Sequence, residues 1–160
     1  LSISLEIKDC LDRNGKIIWC GNGGSAADSL HLSSEFLGKF KNKRKPLASI
    51  SLSSDIANIT CISNDFGYEN VFSRQLEGLG NEKDLLICLT TSGNSKNIIN
   101  CLKMAKKKNI KSILFSGKKG GKAKYFSDID LIIPSESTAR IQEMHTLIGQ
   151  TICDVTEKLE

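Results

Sequence analysis

The sequence lacks what a membrane or secreted protein carries. No apolar run approaches the ~18 residues needed to cross a bilayer, and the first residues have neither the basic stretch nor the small-residue cleavage site of a secretory leader. The expectation is a cytoplasmic protein with no membrane partner. A C-x-x-C pair is missing as well. Six cysteines, Cys10, Cys20, Cys61, Cys88, Cys101 and Cys153, are scattered through apolar segments, which argues against a small disulfide framework and predicts reduced, mostly buried thiols. Aromatic residues make up only 6% of the chain. They are too few to line the basic runs at 39–45, 103–111 and 118–124 as a nucleic-acid platform requires. The net charge of +4 is therefore read as solvated helix faces and loops, and no nucleic-acid binding is expected. Nucleotide fingerprints are absent too: G-N-G-G-S-A lacks the glycine spacing of a dinucleotide turn, and there is no G-x-x-x-x-G-K-[ST].

What is present fits one domain over residues 1–160. With 39% hydrophobic and 25% charged residues, a chain of this length buries roughly two-thirds of the surface its unfolded form exposes. Short apolar runs at 16–20, 46–52, 84–90, 112–116 and 130–134 predict five parallel strands. The stretches between them, 26–40, 55–64, 69–79, 96–108 and 121–127, are read as crossover helices, and a long final helix is expected over 138–159. The alternation predicts an α/β fold, a doubly wound five-stranded parallel sheet flanked by helices. The opening SISLEIKDCLDR reads as a further helix with no capping residue before it, so an N-terminal segment is expected to precede it.

In such sheets ligands bind beyond the C-terminal strand ends, which directs attention to two loops. The first, W-C-G-N-G-G-S-A-A-D, has Gly21, Gly23 and Gly24 for tight turning and Ser25 as a helix cap. The second, L-T-T-S-G-N-S, offers the hydroxyls of Thr90, Thr91, Ser92 and Ser95 at a helix N-terminus. Either loop alone also reads as a plain cap. Two in one small sheet point to a phosphate group on a small metabolite.

The chain has two histidines. His31 lies four residues before Glu35, on one face of the helix that follows the glycine loop, a spacing that can chelate a divalent metal or form an unliganded surface pair. In the last helix Gln142, Thr146 and Gln150 make a polar row beside apolar Ile141, Met144, Leu147 and Ile148. His145 is expected to be a hydrogen-bonded structural residue.

The run G-N-G-G-S-A-A-D-S-L-H-L-S-S-E-F, followed in order by S-N-D, T-T-S-G-N-S and R-I-Q-E-M-H, resembles the phosphoheptose isomerases of the SIS family over nearly the whole chain. The resemblance implies a flavodoxin-like fold and a homotetramer with sites between subunits. It also implies conversion of sedoheptulose 7-phosphate to D-glycero-D-manno-heptose 7-phosphate through an enediol, for bacterial surface heptose such as that of lipopolysaccharide. By the same resemblance Asn22, Gly23, Gly24, Ser25, Asn64 and Asp65 contact substrate, and Thr90, Thr91, Ser92 and Ser95 hold phosphate. His31, Glu35 and Gln142 bind one zinc ion per subunit, with Gln142 also touching substrate and Glu35 moving the proton. The chain departs from the pattern at Gln150, which stands where the family has a metal-binding acid/base histidine; an amide cannot shuttle a proton near neutral pH. The alternative is a catalytically impaired SIS tetramer that binds a replication initiator.

Overall fold

The computed structural model describes residues 1–159. Helix α1 (Ser2–Asp12) leads into β1 (Ile17–Gly21), α2 (Gly24–Leu37), β2 (Ser49–Ser51), α3 (Ile56–Phe66), α4 (Val71–Leu79), β3 (Leu85–Leu89), α5 (Lys96–Lys107), β4 (Lys111–Gly117), β5 (Ile129–Ile133) and α6 (Thr138–Leu159). The sheet is parallel throughout, in the order β2-β1-β3-β4-β5. The central segments IIWCG and LLICL have no charged residue and are buried at every position, as strands covered on both faces must be.

Alternation of side chains along these strands divides the core in two. Ile18, Cys20, Leu86, Cys88 and Leu114 pack with residues of α4 and α5 on one face. Ile17, Trp19, Leu85, Ile87, Leu89, Ile113 and Phe115 meet α1, α2 and α6 on the other. The chain leaves β1 toward β2 and returns past it to β3, so the connections diverge between β1 and β3. That is the switch point at which doubly wound sheets bind ligands.

Helices α2 and α6 lie side by side in parallel, matched residue for residue. Thr146 Oγ1 donates to Asp28 Oδ1 at 2.9 Å, and a Cβ on Gly149 would lie 2.6 Å from Leu32 Cδ1, so glycine there lets the helices close up. At the far end the Glu157 carboxylate accepts from the backbone N–H groups of Phe40, Lys41 and Asn42 and pairs with Arg44. Arg44 also donates to the carbonyls of Glu35 and Phe36. The basic run at 39–45 is thus partly a clamp on α6 and not only a solvated loop.

Two expected elements differ. The segment 121–127 holds only a 3-10 turn, Ala123–Tyr125, because seven residues opened by glycines at positive φ, 84° at Gly120 and 56° at Gly121, leave no room for an α-helix. The second strand shortens to Ser49–Ser51: Pro46 has no N–H for a ladder and Leu47 N–H bonds to Phe36 instead. Five cysteines are buried and Cys61 is exposed, all as free thiols. Among the described residues no helix is long and apolar enough to cross a membrane.

Candidate active site

The first loop turns within four residues of β1. Gly23, at φ 57°, is the N-cap of α2, and its carbonyl accepts from Ala26 and Ala27. The expected Ser25 cap is not found: α2 starts at Gly24, two residues earlier than expected, and Ser25 is buried with its N–H bonded to the Asn22 carbonyl. The N–H groups of Gly23 and Gly24 make no hydrogen bond among the described residues. They stay free at the positive end of a helix. A Cβ at Gly24 would lie 2.4 Å from Gln142 Nε2, so the glycine accommodates an amide that α6 brings against the loop.

The second loop divides its hydroxyls by role. Thr90 Oγ1 accepts from Gly93 N–H and Ser92 Oγ from Asn94 N–H, fixing the turn. Thr91 and Ser95 leave theirs unengaged among the described residues, as are the N–H groups of Ser92, Ser95 and Lys96. The turn is braced from behind: Gly93 has φ 65°, a Cβ on it would lie 2.0 Å from the Gly120 carbonyl oxygen, and its own carbonyl accepts from Ala123. Free hydroxyls and free amides thus sit in one loop at the N-terminus of α5, an arrangement that suits a phosphate.

Asn22 and Asn97 join the loops by reciprocal amide bonds of 2.9 and 2.8 Å, and Tyr68 Oη donates to Asn22 Oδ1 at 2.8 Å. These three residues with Glu69, Ser95 and Lys96 line a cleft of about 410 Å³. Tyr68 and Asn97 escaped the sequence reading, although Asn97, placed in the first turn of a helix after a hydroxyl-rich loop, was a detectable signal. Asn64 and Asp65 are exposed on α3, which buries no residue. Asn64 donates to Asp65 and neither bonds to either loop.

Further along α2, His31 Nε2 and Glu35 Oε1 are 3.0 Å apart, with the carboxylate mostly shielded and the imidazole exposed. In the α2–α6 pairing Gln150 falls at their level. Gln142 does not: its amide sits against Gly24, seven residues or about 10 Å of helix before His31. One chain thus assembles His31 and Glu35 and leaves Gln142 with the phosphate loops. An imidazole and a carboxylate in contact suit a divalent cation, and a carboxamide oxygen as third ligand would make a weaker zinc site than a second imidazole. His145 is buried, donating from Nε2 to the Ser116 carbonyl at 3.2 Å and meeting Phe115 edge-on. Burial pushes its pKa down, against the opposing effects of that hydrogen bond and of Asp28.

A doubly wound parallel sheet with a cleft lined by free hydroxyl and amide donors at its switch point defines an α/β protein of the class that binds small ligands beyond its strand ends. Residues 2–117 match the SIS domain family, and the chain belongs to it. It is 50% identical over 150 residues to phosphoheptose isomerase 1 of Campylobacter jejuni, covering 94% of this chain and 81% of that one. The phosphoheptose isomerase of Helicobacter pylori is 49% identical over 150 residues, covering 94% and 78%. The solved phosphoheptose isomerase of Neisseria gonorrhoeae superposes with a TM-score of 0.92 at 38% identity, covering 98% of this chain and 83% of that one.

Proposed function

We propose that this chain is an aldose–ketose isomerase that converts sedoheptulose 7-phosphate to D-glycero-D-manno-heptose 7-phosphate in the cytoplasm, as one SIS domain working in a homotetramer. The observation that carries the reading is the amide pair Asn22–Asn97, which locks two anion-accepting loops into a single cleft. Thr91, Ser95 and the free N–H groups of the second loop take the phosphate, assisted by Thr90 and Ser92, which retain hydroxyl protons to donate. Asn22, Gly23, Gly24 and Gln142 flank the sugar chain, with Ser25 buried behind the loop and Asn64 and Asp65 beyond it.

Glu35 is the base. Its carboxylate removes the proton from one carbon of the open-chain sugar and returns it to the neighbour through an enediol, a role worth ~10²- to 10⁴-fold in rate, while the hydroxyl proton passes to the former carbonyl oxygen by way of solvent water. Gln150 holds hydroxyls by hydrogen bonds but transfers no proton, so Glu35 carries the carbon-to-carbon transfer alone. His31, Glu35 and Gln150, with Gln142 supplied by a second copy of the chain, would hold a zinc ion, and such an ion would polarise the substrate carbonyl. Glu35 lies eleven residues along α2 from Gly24, about 16 Å. That is longer than a seven-carbon chain comfortably spans from the loops, which favours a site completed by a second copy of the chain. The relatives named above carry isomerase names, and the initiator-binding alternative draws no support from them.

Reaction in D2O tests the assignment. Deuterium is expected to enter the substrate carbon next to the carbonyl, and Glu35→Gln is expected to lose that exchange while keeping the fold. Undiminished exchange in the variant removes Glu35 from the role.

A further inference from the structure

Three of the six cysteines, distant in sequence, meet in the core beneath the two loops. Cys20 and Cys88 are register partners on the adjacent strands β1 and β3 and turn to the same face. Their sulfurs are 3.4 Å apart. Cys101 reaches them from α5, and the three Sγ atoms lie within 4.8 Å of one another. All three residues are fully buried, among apolar side chains that include Ile18, Ile98 and Leu114.

We propose that Cys20, Cys88 and Cys101 form a binding site for a thiophilic cation of low coordination number, of the Cu(I) type, separate from the His31–Glu35 pair. Donor type and number carry the choice. Thiolates select soft ions, whereas a structural zinc site takes four donors. Among the described residues no histidine or carboxylate joins the three sulfurs. A three-sulfur set matches an ion content with few donors, and the surrounding hydrocarbon excludes water that could supply another. Entry of the ion displaces the thiol protons. Cys20 directly precedes Gly21 and Cys88 stands two residues before Thr90, so the ion would pin the strand ends from which both loops spring.

The test uses the full chain, reduced and metal-free under anaerobic conditions, titrated with Cu(I) against a chromophoric Cu(I) chelator. One equivalent per chain is expected to be withheld from the chelator, with thiolate-to-copper absorption in the near ultraviolet and a rise in melting temperature. Cys101→Ala and Cys88→Ala, compared with the parent by circular dichroism, are each expected to weaken binding at least roughly tenfold, since loss of a ligand exceeds the ~10- to 100-fold effects of outer-shell changes at its lower end. Cys61→Ala is expected to bind as the parent does. The proposal is overturned if the parent chain withholds no copper, which needs no variant to fold. It is equally overturned if binding survives both core substitutions, or if it vanishes with the exposed Cys61.

Discussion

At the scale of single residues the account turns on groups whose chemistry is set by where they sit. Glu35 is mostly shielded, and among the described residues its carboxylate has one side-chain partner, His31, so it stays available to a ligand. His145 is the opposite case. Its ring is buried, bonded through Nε2, and its Nδ1 has no partner among the described residues, so the fold accepts the neutral form and resists the charged one. Its folded pKa therefore lies below the 6.5 of a free imidazole. The stability this contributes is complete above about pH 6.5 and is lost as the pH falls through that value toward the folded pKa. Urea unfolding at pH 8 and pH 5.5 is expected to show a loss of stability that His145→Gln reduces; an unchanged pH dependence would place the effect elsewhere.

At the scale of elements, function depends on how loops and helices are held together. The Asn22–Asn97 bond is the only side-chain link between the two anion loops among the described residues. Asn97→Ala, which removes both bonds, is expected to raise KM for the sugar phosphate by roughly five- to 150-fold with kcat less affected, the equivalent of about 0.5–1.5 kcal/mol for each of the two. Steady-state kinetics checks it, and an equal fall in kcat with KM constant would argue against a role in binding. The elements themselves were legible in the sequence where apolar pattern and length agreed: α6 matches its expected bounds, and the central strands shift by one residue. The Gly121 to Ser127 stretch misled because loop length was read as helix, when two glycines at positive φ decide the matter. Ser25 misled for a related reason: a serine at a helix start suggests a cap, but Gly23 takes that position and Ser25 turns inward.

At the scale of the whole molecule, the sequence motifs indicated both loops and the His31–Glu35 pair, but not which residue of α6 stands beside each. Only the parallel pairing of α2 with α6 reveals that Gln142 belongs with the loops and Gln150 with the pair. That pairing is a property of packing, and no spacing within one helix reports it; the distance between loop and pair follows from the eleven residues of α2 between Gly24 and Glu35. It leads to an expectation about assembly: light scattering on the purified protein should give the mass of four chains, and a stable, active monomer would contradict a site shared between copies. The exposed apolar residues Leu5, Leu30, Leu37 and Leu147 are surface that such assembly can cover.

The most direct test of the central claim is an isomerase assay on sedoheptulose 7-phosphate, with and without zinc, comparing this chain with its Gln150→His variant. The account predicts measurable conversion by the chain as it stands, faster conversion by the variant, and a larger zinc effect in the variant because an imidazole replaces a carboxamide. No conversion by either protein, in a folded tetramer supplied with zinc, would contradict it.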